Sequence, residues 1–250
     1  RNEPYWRERF GDKMDDKDRF KWTRFYEELA DKLLEFKDKR HKLLEGIYEI
    51  ASRVSSLSYL NDKFMDGSTG RLKDICPFTT LGIINRGITV ANRKIIAKEM
   101  ATFLGVSEEV PESFEGVPLL NNQKSWFFGN SQNDKKKSDD IDALWEMFEK
   151  AITFSGSEDS EARDEFAASY DNVSERYNVG WNLTMGLFWI RPWVFPSLDN
   201  QSRQYIKNKL NIPIGQNGPK GRCSAVDYLK LIVTFENSFA EDTYPVHSFP

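Results

Sequence analysis

The stretch GWNLTMGLFWIRPW at residues 180–193 holds three of the chain's seven tryptophans, Trp181, Trp189 and Trp193, and a single charged side chain, Arg191. A guanidinium among aromatic planes can hold a flat ligand such as a nucleic-acid base by stacking and cation–π attraction. Asn182 adds an amide beside them. The same residues also suit a core element, with Arg191 satisfied by buried carbonyls or an acid. A second run, LLNNQKSWFF at 119–128, gathers Asn121, Asn122, Lys124 and Trp126 in one loop-like segment. Reading a splayed-out base needs hydrogen bonds to its edge and stacking on its face, and amides next to an aromatic supply both. The competing reading is that Trp126 and Phe128 anchor a long loop on the core. A third segment, Asn85-Arg86-Gly87, ends an apolar run in a polar turn. It either offers donors to a phosphate or base edge, or it is a helix C-terminus with Arg86 against the dipole and Gly87 in the left-handed conformation. Basic residues at Lys135–Lys137 and at Arg203, Lys207 and Lys209 either meet phosphates or form solvated faces.

Signatures of bond chemistry are sparse. The chain has neither a phosphate-binding Gly-x-x-x-x-Gly-Lys-Ser/Thr loop nor a Gly-x-Ser-x-Gly elbow. Its two histidines, His41 and His247, sit in a charged segment and near the C-terminal end, which argues against a His-based triad or metal site. Acidic clusters at Asp15-Asp16, Glu108-Glu109 and Asp139-Asp140 with Asp142 fit helix N-termini and solvated faces better than metal binding. The expectation is therefore no catalytic residue, no metal and no cofactor in this chain.

The elements that must position these segments read as helices. Residues Trp22, Phe25, Tyr26, Leu29, Leu33 and Phe36 recur at three- and four-residue spacings, and Leu43, Leu44, Ile47, Tyr48, Ala51 and Val54 continue the stripe. The charged stretch 37–42 marks a kink, a break or a solvated face; no Gly or Pro marks a corner. Asp66-Gly67-Ser68-Thr69-Gly70 reads as a loop. Pro77 suits the first turn of a helix through Asn85. Thr89 caps a helix over 90–104 that ends at Gly105. Further helices are predicted over 138–152, 160–177, 197–210 with Ser197 as cap, and 225–239 with Ser224 as cap. Residues 183–190 are apolar enough for a buried helix or a buried strand, and periodicity does not separate the two. The expected fold is mainly α: a multi-helix globular domain with long ordered loops and few or no strands. A charged arm over 1–20 precedes a recognition or accessory domain over 21–240, and 241–250 begins a linker to a downstream region.

Composition narrows the class of partner. The 250 residues suffice for one large domain or two small ones. Net charge is −4 and the pI about 5.5. A protein that binds DNA through many phosphates is usually basic, so any DNA contact here must rest on a local patch or pocket. Cys76 and Cys223 have neither disulfide-framework nor metal-site spacing and read as buried thiols in a reducing cytosol. Three glycosylation sequons, at Asn172, Asn182 and Asn200, have no secretory context and read as chance. No apolar run is long enough to cross a bilayer, and no signal peptide precedes the charged start, so no membrane partner is expected. The chain opens on Arg1 and stops at Pro250 without a solubilising tail, which reads as a piece cut from a longer protein.

The three polar-aromatic segments also carry a resemblance. The runs LKDI-x-PFT (72–79) with Asn85-Arg86-Gly87-Ile88-Thr89, LNNQKSWFF (120–128), and Trp181-Asn182-Leu183-Thr184 through Arg191-Pro192 resemble the N-terminal region of McrB-type proteins over residues 20–210. Those are AAA+ GTPase subunits of modification-dependent restriction systems, which serve in phage defence. The resemblance implies a non-catalytic specificity module that recognises modified DNA, in some branches by flipping the modified base into an aromatic pocket. The GTPase motor would lie downstream in the same protein, and a partner endonuclease would cut. The residues expected to meet DNA are Asn85, Arg86, Asn121, Asn122, Lys124, Trp126, Trp181, Asn182, Trp189 and Arg191. The alternative is a protein–protein assembly or sensing module of the same cytoplasmic system, without direct DNA contact.

Overall fold

The computed structural model describes residues 20–57, 60–121, 136–241 and 243–250. Of the expected DNA contacts, Asn122, Lys124 and Trp126 lie outside the described residues, as does the arm over 1–19. Among the described residues the fold is mainly helical, with nine α-helices and one two-stranded hairpin. The 22–57 stripe folds as two helices, α1 (Trp22–Leu34) and α2 (Arg40–Arg53), broken at the charged stretch that follows Glu35. The break needs no glycine because Phe36 and Lys37 close tight turns onto the carbonyls of Leu33 and Leu34. A hairpin follows, β1 (Asn61–Lys63) and β2 (Thr69–Arg71), in antiparallel register with Asp62 opposite Gly70. Of the predicted Asp66–Gly70 loop, residues 66–68 form the turn, with Gly67 left-handed at φ 82°, while Thr69 and Gly70 open β2.

Next come α3 (Pro77–Gly82) and α4 (Val90–Leu104). The α4 boundaries are those the sequence predicts: Thr89 accepts from the Asn92 amide, and Gly105 takes the left-handed conformation. Then α5 (Asp140–Ser155) and α6 (Ser160–Ser174) form the most extensive helix pair. Residues 182–190 resolve as a helix, α7 (Asn182–Ile190), with every side chain from Leu183 to Ile190 buried. A helix apolar on all sides belongs in the middle of a fold, and α7 packs against α1, α3 and α5. After the turn at 191–199 come α8 (Asn200–Tyr205), continued by a π-turn to Leu210, and α9 (Ala225–Phe239). Asp199 rather than Ser197 caps α8, accepting from the Gln201 and Ser202 amides while the Ser197 hydroxyl donates to its other oxygen.

Stacked rings join the late helices. Phe154 lies 4.9 Å from Phe166, Phe166 5.3 Å from Phe195, and Tyr170 5.3 Å from Tyr228, linking α5, α6, the 191–199 turn and α9. The C-terminal stretch folds back on α9, where Phe249 meets Phe235 and Phe239 edge-on. No helix among the described residues is long and apolar enough to cross a membrane.

Candidate functional site

The N-terminus of α7 opens onto a cleft of about 1830 Å³, as bounded by the described residues. Its walls are the hairpin strand Asn61–Lys63 with Thr69, the extended segment 116–121, residues 177–182 leading into α7, the first turn of α8, and the basic pair Lys220 and Arg222. Three of the expected DNA-contacting residues meet here: Asn121, Trp181 and Asn182.

Local hydrogen bonds build the floor. The Thr184 hydroxyl donates to the Trp181 carbonyl at 2.7 Å and accepts from the Leu198 amide at 2.9 Å, which draws the α8 approach over the start of α7. Arg203, one turn into α8, donates to the Leu198 carbonyl at 2.6 Å. Its guanidinium then lies 4.3 Å above the Trp181 ring. Asn182 uses its amide locally, accepting from the Gly180 amide and donating to the Asn178 carbonyl, which holds Asn178 left-handed at φ 64°. Asn121 is exposed on the opposite wall.

That wall is held from behind by other residues expected to touch DNA. Asn85 is fully buried. Its backbone carbonyl accepts from the Leu120 amide at 2.8 Å, and Arg86 forms a parallel bridge with Leu120. The Asn85 side-chain oxygen takes donors from the Tyr26 hydroxyl and the Arg93 guanidinium, and its nitrogen donates to the Leu81 carbonyl. Trp189 is also fully buried and donates its indole N–H to the Pro118 carbonyl at 3.0 Å. Arg191 is held by the Ser155 hydroxyl, the carbonyls of Ile190 and Glu27, and the Asp31 carboxylate. Asn85, Trp189 and Arg191 are therefore committed to the interior and cannot read a base in this conformation. Arg86 is half-buried, and Gly87 is not among the left-handed glycines, so the expected glycine C-cap does not form there.

The cleft's cations were partly hidden from the sequence. Arg203 stood out only as a member of a basic cluster; Lys220 and Arg222 did not stand out. The signal was the Lys-Gly-Arg triplet at 220–222, two cations about a left-handed Gly221 at φ 68°. Burial acts against the charge on all three, lowering each pKa, and the Arg222 guanidinium lowers that of Lys220 further. Of the acids in the lining, Asp199 is engaged as the α8 cap and Asp62 is buried.

Chemistry elsewhere is muted. Both cysteines are buried free thiols, and burial pushes Cys76 up to about 11 and Cys223 up to about 12, so neither is a thiolate near neutrality. Among the described residues no group of three His, Cys, Asp or Glu side chains could hold a metal ion.

Fold and cleft together define a mainly helical domain with a large recess of mixed polar and apolar lining at the start of its central helix. The model of the family described as "Domain of unknown function (DUF8425)" matches residues 22–248, and the chain belongs to that family. No curated protein and no solved structure matches it.

Proposed function

We propose that this domain is a non-catalytic DNA-recognition module, reading a modified nucleotide on behalf of a downstream GTPase motor and a partner nuclease, as its resemblance to McrB-type N-terminal regions implies. One observation carries the reading: the cleft places a cation-backed indole, the Trp181–Arg203 stack, in a single recess with Lys220 and Arg222. An aromatic plane supplies stacking for an unpaired base, and cations beside it meet the phosphates of the strand. The assembly reading would be favoured by an exposed apolar groove along the first two helices. Instead Phe25, Tyr26, Leu29, Leu33, Leu43 and Ile47 are sealed inside.

The test is binding of the purified protein to duplexes that are methylated, hydroxymethylated or unmodified, at low salt. A preference for a modified duplex is expected. Trp181→Ala should weaken binding by about 1–3 kcal/mol, the range for a base stacked on an aromatic, with the helical circular dichroism retained. Absence of binding to every duplex at low salt would sink the proposal, and self-association or partner capture without DNA affinity would favour assembly.

A further inference from the structure

We propose that Lys220 and Arg222, together with Arg203, form a phosphate subsite in the cleft; the inference rests on the DNA reading for its natural ligand, the backbone of the strand whose base reaches Trp181. The three cations come from separate segments, the first turn of α8 and the turn before α9, yet converge on residues 176–181. Arg222 donates to the Val179 carbonyl at 2.7 Å, and Lys220 to the Arg176 carbonyl at 3.2 Å. All their protein acceptors are neutral carbonyls: among the described residues none of the three is ion-paired. Burial first, and the neighbouring Arg222 guanidinium second, lower the Lys220 pKa. The Arg222 Nη2 nitrogen is sealed from solvent without a hydrogen-bond acceptor. Most long cationic side chains on a surface point apart into water; these are held to backbone carbonyls in one partly dry recess, where a bound anion would offset the cost of burying their charge.

The backbone is shaped for the arrangement. Lys220 stands left-handed at φ 57°, a conformation that disfavours a lysine and that clusters at ligand sites. Gly180 clears room for Arg222, since a Cβ there would lie 2.2 Å from Nη1. A phosphodiester or phosphate monoester fits this chemistry, because a guanidinium and an ammonium together neutralise its charge and share its oxygens.

Two substitutions and two ligands test it. Lys220→Gly removes the charge and the backbone strain at once. It should leave the melting temperature no lower than wild type while weakening phosphate binding, a combination that a merely structural lysine would not give. Arg222→Gln removes the second cation. The first ligand is inorganic pyrophosphate, followed by amide chemical shifts of Gly180 and Gly221. Saturable shifts are expected in wild type and are lost in both variants. No saturable shift up to tens of millimolar, or shifts that persist in both variants, overturns the subsite. The second ligand is the best-bound duplex, titrated at several salt concentrations. Each variant should flatten the slope of log K against log salt by about one, the loss of one phosphate contact, while Lys98→Gln on the exposed side of α4 leaves it unchanged. Unchanged slopes in both variants overturn the subsite and leave the DNA reading standing. Pyrophosphate binding without affinity for any duplex sinks the DNA reading and keeps the subsite, for a phosphate-bearing ligand other than DNA.

Discussion

Residue type alone does not separate reader from scaffold here; what separates them is where each polar atom finds its partner. Trp181 and Trp189 sit eight positions apart in sequence, at opposite ends of one helix. Trp181 is half-buried at the mouth of the cleft and carries a guanidinium on its ring. Trp189 is sealed, and its indole N–H goes to the Pro118 carbonyl. The second indole thus acts on the cleft at a distance, by pinning the 116–121 wall that presents Asn121. Trp189→Phe keeps most of the ring volume but leaves that carbonyl without its donor. The loss should be about 1–3 kcal/mol of unfolding free energy, the range for an orphaned buried acceptor, read from urea denaturation. Hydrogen exchange at the Leu120 amide, bonded to the Asn85 carbonyl on the same wall, should quicken in parallel. An unchanged Leu120 rate would mean that the wall is held without Trp189.

At the scale of elements, the segment between α8 and α9 shows how one side chain can serve two structures. Ser224 and Asp227 form a reciprocal capping box at the start of α9. Asp227 also accepts from the backbone and side-chain nitrogens of Asn217, and its carboxylate fills the space beside Gly215, where a Cβ would come within 2.3 Å. It therefore ties the loop bearing Lys220 and Arg222 to the helix. Ser224→Ala should cost about 1 kcal/mol, as for an ordinary N-cap. Asp227→Ala should cost roughly twice that, because charge-assisted hydrogen bonds to the loop go with the cap. Equal losses in thermal or urea unfolding would show that the loop contributes nothing through Asp227. These caps are also where the sequence was most legible. Thr89, Gly105 and Ser224 mark their helix ends because capping is local chemistry, settled by a few neighbouring residues. The break after α1 carried no such mark, since short turns after Glu35 need neither Gly nor Pro. The hairpin strands span three residues each, too short for an alternating pattern to register. The site was legible only in part for a different reason: Arg203, Lys220 and Arg222 converge through tertiary folding, and no spacing along the chain records that.

For the molecule as a whole, the charge balance matters less than its distribution. A net charge of −4 coexists with a recess lined by Lys63, Arg203, Lys220 and Arg222, so the overall acidity does not oppose a local anion site. Charge placement also sets how stability responds to alkali, and Lys136 makes this measurable. Burial pushes its ammonium down to about 8 from an ordinary 10.5, despite the attraction of Asp62 and Asp140. Below pH 8 folded and unfolded chains both hold the proton, and the penalty of a half-buried charge is fully present. Between 8 and 10.5 the folded chain has released it while the unfolded chain still binds it, so stability from this group rises with pH. The thiols act in the opposite sense. Cys76, pushed up to about 11 from 9.0, keeps its proton in the folded state while the unfolded chain loses it, so its contribution falls from pH 9 to 11. Comparing the wild type with Lys136→Met cancels the thiol effect, which both proteins share. The stability of the wild type relative to the variant should be flat below pH 8 and climb toward 10.5 in urea titrations across that range. Parallel profiles would mean that the Lys136 ammonium is fully hydrated in the folded chain.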